Sequence, residues 1–170
     1  FSMNHIPNID GYNKHMVCDS WKILNGEQQV FGNIAVIGGG MVGCEVAEYL
    51  CLQEGNNVSI IEMDDSIAKG ESNTILPTLM ENFNKNNVKI YTNHKVNKID
   101  SEYIICENDN NEIKIPCDYV VMAVGARPNN FNVDKLLENN IKVVKIGDCK
   151  DRASDIENAI KTAYDAANEI

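Results

Sequence analysis

The chain has 170 residues, enough for one domain with a sizeable core, and its 44% hydrophobic and 24% charged content is ordinary for a globular protein. A formal net charge of −10 repels phosphate backbones and anionic lipid, which excludes nucleic acid and membrane surfaces as partners. No apolar run approaches the roughly 20 residues needed to span a bilayer.

Phe1 and Ser2 precede a methionine and carry no structural weight, and Phe1–His5 lacks the basic and apolar regions of a signal peptide. Residues 1–32 read as an irregular lead-in. Ile6-Pro7-Asn8-Ile9-Asp10-Gly11 is turn-rich, and Ser20–Gly26 suits a short helix stopped by its glycine. Asn33-Ile34-Ala35-Val36-Ile37 is a continuous apolar run, as in a central parallel strand buried on both faces. A glycine turn follows, and then Val42, Val46, Tyr49 and Leu50 recur at helical spacing until Gly55. Val58–Glu62 is the next strand. Ser72–Asn86 carries Leu76, Leu79, Met80 and Phe83 at helical spacing, with Pro77 tolerable only in the first turn.

Val88–Tyr91 reads as a third strand. Residues 95–116 alternate around Asn108-Asp109-Asn110-Asn111 and predict an antiparallel hairpin or small meander. Asp118–Val124 is a further buried strand running into the loop Gly125–Asn129. Val143–Ile146 predicts a strand ending in Gly147-Asp148-Cys149. The last helix opens at a capping box, Ser154-Asp155-Ile156-Glu157, with Ile156, Ile160, Ala163 and Ala167 as its apolar face. The fold class is therefore α/β: a Rossmann-like parallel sheet flanked by helices, with an added antiparallel hairpin or meander.

The six cysteines form no C-x-x-C and no zinc-type spacing, so buried free thiols in a reducing cytoplasm and no metal site are expected. His5, His15 and His94 are scattered and read as surface residues. No nucleophile, base and orienting partner are legible together, so no catalytic side chain is assigned.

The chemistry lies in Gly38-Gly39-Gly40-Met41-Val42-Gly43. Gly38 permits a tight turn off the strand, Gly40 lets the backbone approach a pyrophosphate, and Gly43 lets the helix pack close to the strand. The helix N-terminus adds unpaired N–H donors and positive potential, which an anionic ligand needs on an anionic chain. Glu62, 19 residues beyond Gly43, ends the second strand, where a carboxylate accepts from adenosine ribose hydroxyls and repels a 2′-phosphate. Met63, Asp64 and Asp65 follow, with no Lys or Arg before Lys69, so NADH is expected over NADPH. Met63 is counted with the loop as cofactor-binding.

Gly38-Gly39-Gly40-x-x-Gly43-x-Glu45 resembles the GGGxxGxE signature of NAD(P)H domains in flavoproteins of the pyridine nucleotide-disulfide reductase type. Asp118–Asn129 is similar to their strand followed by A-T-G-x-x-P-N, with Val124 in place of the threonine. Ile146-Gly147-Asp148-Cys149 is similar to their flavin-contacting motif. Ile6–Gly11 resembles the crossover out of the FAD domain, with Asn8 replacing a glycine. The run from Ile146 through Asp155-Ile156-x-x-Ala159-Ile160 to Ala166-Ala167-x-x-Ile170 most resembles the C-terminal part of the old-yellow-enzyme-type NADH:flavin oxidoreductases, the group of 2,4-dienoyl-CoA and enoate reductases.

The resemblance implies a piece of such an enzyme. Residues 1–32 would be the lead-in from a FAD domain, 33–140 the NAD(H)-binding domain, and 141–170 the return segment of the FAD domain. NADH would deliver hydride to a FAD held mainly by a neighbouring segment. FMN, an iron–sulfur cluster and the reductase centre would lie in upstream domains. Glu45 would sit near the nicotinamide, Gly125 would pass close to the dinucleotide, and Asp148 would bond a flavin ribityl hydroxyl. Two alternatives remain: a free-standing NAD(H)-binding module or redox sensor, and a disulfide reductase whose dithiol lies upstream.

Overall fold

The computed structural model describes residues 2–5, 7–129 and 133–169. Its elements run β1 (Ser2–Asn4), β2 (Val17–Asp19), α1 (Ser20–Leu24), β3 (Asn33–Ile37), α2 (Met41–Cys51), β4 (Asn57–Ile61), α3 (Leu76–Lys85), β5 (Lys89–Tyr91), β6 (Lys95–Ile99), β7 (Tyr103–Asn108), β8 (Asn111–Pro116), β9 (Tyr119–Met122), β10 (Ala126–Pro128), α4 (Val133–Glu138) and α5 (Ile156–Asn168). The chain divides into two compact units, residues 6–124 and residues 1–5 with 125–170. Phe1, Ile6 and Ile170, which belong to the sequence runs above, lie outside the described residues.

In the 6–124 unit, five parallel strands are ordered β2-β9-β3-β4-β5. The central strand β3 is buried on both faces because its side chains alternate between two cores. Ile34 and Val36 pack with Cys44, Val46, Ala47 and Leu50 of α2 and Leu79 and Phe83 of α3. Ala35 and Ile37 pack with Ile99, Ile104, Cys106 and Ile115 of the antiparallel sheet β6-β7-β8. One strand thus supports a helical layer and a meander, the fold class expected from the sequence. The β7–β8 turn holds Asp109 and Asn110 at φ 46° and 64°, a left-handed pair that Asx residues tolerate.

One local expectation changes here and one holds. Val17–Asp19, inside the supposed irregular lead-in, is a parallel edge strand on β9, and the Asp19 carboxylate caps α1. Three residues are too few to show a period of two. Pro77 falls in the first turn of α3, where its missing N–H has no intrahelical partner to lose.

The second unit pairs β1 antiparallel with β10, so Ser2 does belong to the fold. Val143–Ile146 joins no sheet among the described residues; a β-branched run makes a strand only where a neighbouring strand can pair with it. A 3₁₀ turn at Gly147–Cys149 follows, and Thr162 Oγ1 of α5 accepts from the Gly147 N–H at 2.8 Å. The N-cap of α5 is Asp155, whose carboxylate accepts from the Asn158 N–H at 2.7 Å, one residue later than the predicted box. Ser154 is diverted: its N–H donates to Asp148 Oδ1 at 3.1 Å.

Candidate dinucleotide-binding site

The glycine turn leaves the carboxyl end of β3. This is where the sheet order reverses, with β4 and β5 to one side and β9 and β2 to the other. Open α/β sheets bind ligands in the crevice at such a switch point. Gly38 sits at φ 102°, and a Cβ there would meet the carbonyl oxygen of Ala123 beyond β9. A Cβ on Gly43 would collide with the Gly38 carbonyl oxygen, so α2 seats directly on the turn. Gly40 differs from both. It is exposed, its φ is −69°, and a Cβ would meet nothing within 4 Å. Its missing side chain leaves open space in front of the helix. Gly40 is also the N-cap of α2 and no side chain caps the helix, so its first N–H groups face outward with the positive end of the dipole.

Glu62 is fixed from four sides. Its N–H donates to Tyr91 O at 2.8 Å and its carbonyl accepts from the His94 N–H at 2.9 Å. Its carboxylate accepts from the Gly39 N–H at 2.6 Å and the Asp64 N–H at 2.8 Å. A carboxylate offers about four lone-pair positions. Two are taken by the backbone, which leaves capacity for a vicinal pair of ribose hydroxyls.

The Gly39 peptide is held at its other end as well. Its carbonyl accepts from the Ala68 N–H at 2.7 Å and the Cys44 thiol at 3.4 Å. Burial pushes the Cys44 thiol up to about 11, and the Glu62 charge adds to this, so the sulfur keeps its proton and donates. Ala68 adopts φ 54°, a left-handed conformation without a glycine to announce it. This strap was invisible in the sequence. So was His94, expected at the surface: it is half-buried, with Nδ1 2.6 Å from Thr92 O and its ring edge-on to Tyr91.

Between these anchors, Lys69 Nζ lies 3.0 Å from both Asp64 Oδ2 and Asp65 Oδ1. The ammonium holds the Asp65 carboxyl below its ordinary range, and Asp65 and then Asp64 raise Lys69 in return.

The structure therefore brings Gly38, Gly39, Gly40, Met41, Val42, Gly43, Glu62 and Met63 to one end of the sheet, with Met41, Gly40 and Met63 exposed. Glu45 is exposed on the first turns of α2. Gly125 and Asp148 belong to the other compact unit. Gly125 takes φ 86° and its carbonyl accepts from the His5 N–H at 3.0 Å. Asp148 accepts from the Ser154 N–H and, at 2.9 Å, from the Ser2 hydroxyl. These two bonds lower its pKa and keep an ionised acceptor there. All six cysteines are free, five of them buried.

A parallel sheet, a glycine turn on an uncapped helix and a carboxylate ending the next strand define a dinucleotide-binding domain of Rossmann type. The chain belongs to the pyridine nucleotide-disulphide oxidoreductase family, which it matches over residues 2–166. It is 46% identical over 167 residues to the bilirubin reductase of Mediterraneibacter gnavus, covering 98% of this chain and 26% of that protein. It is 30% identical over 170 residues to the NADH oxidase of Thermoanaerobacter brockii, covering 96% of this chain and 26% of the other. A 2-naphthoyl-CoA reductase structure superposes with a TM-score of 0.84 at 23% identity, over 99% of this chain and 26% of its own, a likeness of fold. The chain thus spans about a quarter of the length of these relatives. The family and its relatives mark it as an oxidoreductase domain of flavoprotein type.

Proposed function

We propose that residues 33–140 bind NADH and orient its nicotinamide for hydride delivery to a FAD held mainly by a neighbouring segment, and that 141–170 are the return segment of the FAD-binding domain. The observation that carries this reading is the bond from the Gly39 N–H to the Glu62 carboxylate, beside the open space at Gly40 and the uncapped start of α2. One group offers donors to a pyrophosphate, the other acceptors to a ribose. The bound nicotinamide and flavin supply the redox chemistry. The chain's own side chains bind and orient; none is assigned a proton transfer.

Asp148, an ionised acceptor with lone pairs to spare, suits a polyol hydroxyl and so fits a flavin ribityl chain. The exposed face of α5, with Ile156, Ile160 and Tyr164 at 79%, 65% and 68% accessibility, supports a neighbouring segment packed there. FMN, an iron–sulfur cluster and a reductase centre would belong to upstream domains in a longer enzyme. Its six free thiols suit a reducing cytoplasm, where NADH would be its partner.

Glu62→Gln tests the site. NADH affinity is expected to fall by about tenfold, the scale of lost charge-assisted hydrogen bonds, and discrimination against NADPH to shrink. Unchanged affinity for both dinucleotides would overturn the reading.

A further inference from the structure

The segment 62–69 is closed into a ring. At its start, the Asp64 N–H donates to Glu62 Oε1; near its end, the Ala68 N–H donates to Gly39 O. The Asp64 carbonyl accepts from the Asn93 N–H at 2.8 Å, which fixes the ring's outer side. Lys69 completes the closure through its two 3.0 Å ion pairs. Ala68 is fastened to the glycine turn, so Lys69 is held one residue from it. Lys69 is also the first basic residue after Glu62. A cation in that neighbourhood is what a 2′-phosphate on the adenosine ribose requires. Here it faces two carboxylates instead.

We infer that Asp64 and Asp65 are specificity-determining residues, which hold Lys69 away from the ribose 2′ position and thereby exclude the phosphorylated dinucleotide. The inference rests on the reading of this loop as an NAD(H) site. Glu62 acts at the 2′-hydroxyl itself, and the pair Asp64–Asp65 acts on Lys69, the first cation after it in the chain, which could compensate a phosphate. Three carboxylates against one ammonium keep the ring anionic. Releasing Lys69 changes both the field and the available donor. All three side chains are more than half exposed, so their replacement leaves the core untouched.

The test is titration of the full chain with NADH and with NADPH at low ionic strength, for the unaltered protein, Asp64→Asn/Asp65→Asn, and that double variant with Lys69→Ala. The double variant is expected to bind NADPH about fivefold more tightly, the scale of one exposed ion pair. NADH affinity should stay within about twofold, and the gain should fade in high salt. Adding Lys69→Ala should abolish the gain. NADPH affinity unchanged in the double variant, with NADH still binding, would overturn this inference and leave the site intact. A gain that survives Lys69→Ala would show that Lys69 is not the released group, and would overturn it as well. Failure of the unaltered chain to bind NADH would remove the reading on which both stand.

Discussion

The two compact units satisfy their apolar residues in opposite ways. In residues 6–124, β3 is sandwiched between two apolar clusters, and the largest side chains, such as Phe83, Ile60 and Ile104, are essentially inaccessible. In residues 1–5 with 125–170, Gly147 is the one buried residue among those described, and α5 buries none of its own. Yet α5 reads in sequence as a well-formed amphipathic helix with a sound N-cap. An apolar stripe on a helix states a demand for a partner surface, whereas the alternating strand β3 already has a partner on each face.

The largest effects are expected inside the glycine turn, where fold and proposed ligand site share three residues. Gly43→Val should cost about 3 kcal/mol or more, because the side chain must enter the space of the Gly38 carbonyl. Denaturant unfolding reads this directly. Gly40→Ala should leave stability within about 0.5 kcal/mol, since its Cβ meets nothing, while lowering NADH affinity at least about tenfold. If both variants lost stability equally, Gly40 would be a structural glycine only.

A second contrast spans the two units. Ile60→Ala, at a fully buried position, should destabilise the 6–124 unit by about 2–5 kcal/mol. Ile160→Ala should change that unit by less than about 0.5 kcal/mol. Amide exchange gives the same ordering residue by residue: β3, β4 and β9 are expected to open only globally, and α5 at much lower free energy. Equal protection across both units would abolish the distinction.

The buried thiols of the 6–124 unit report its burial chemically. Burial first, and then Cys117, pushes Cys106 up to about 12; burial first, and then Asp118, pushes Cys117 to about 11. The folded values lie above the unfolded ones, so this stabilisation is complete below about pH 9 and is lost as pH rises toward 11–12. Thiol labelling should therefore be slow at pH 8 for all buried cysteines and accelerate together with alkaline unfolding. Rapid labelling of Cys106 in the folded protein at pH 8 would contradict its burial.

The smallest effect is at the surface. The Ser101 N–H, and then Lys14, lower Asp100 to about 2. A depressed carboxylate stabilises above its unfolded value near 4 and loses that contribution as pH falls toward 2. Asp100→Asn should flatten the acid limb of stability across that window, read by thermal unfolding at stepped pH.

What the sequence disclosed follows the range of the interactions. Gly38 and Gly43 were legible because each answers a close backbone approach at fixed spacing on one βαβ unit, and Glu62 because it follows the second strand of that unit; Gly40, at φ −69° with open space before it, has no such backbone need. The meander showed itself through its Asx turn. The strap from Ala68 to Gly39 was not legible, since an alanine at positive φ carries no compositional mark and is held there by tertiary hydrogen bonds. The Lys69 clamp was half visible, as a basic residue after two acids; its geometry needed the closed ring. Val17–Asp19 was too short to show alternation, and Val143–Ile146 carried strand propensity without a strand to join. Gly125 and Asp148 were singled out through resemblance alone; in the fold Gly125 turns at φ 86° and Asp148 accepts from Ser2 and Ser154.

Calorimetric titration of the unaltered full chain with NADH and then NADPH tests the dinucleotide site most directly. Saturable 1:1 binding of NADH is expected, tighter than NADPH by about tenfold or more, or roughly 1.4 kcal/mol. NADPH binding as tightly as NADH would contradict the role of Glu62, and no saturable binding of either would contradict the assignment of the glycine turn as the dinucleotide site.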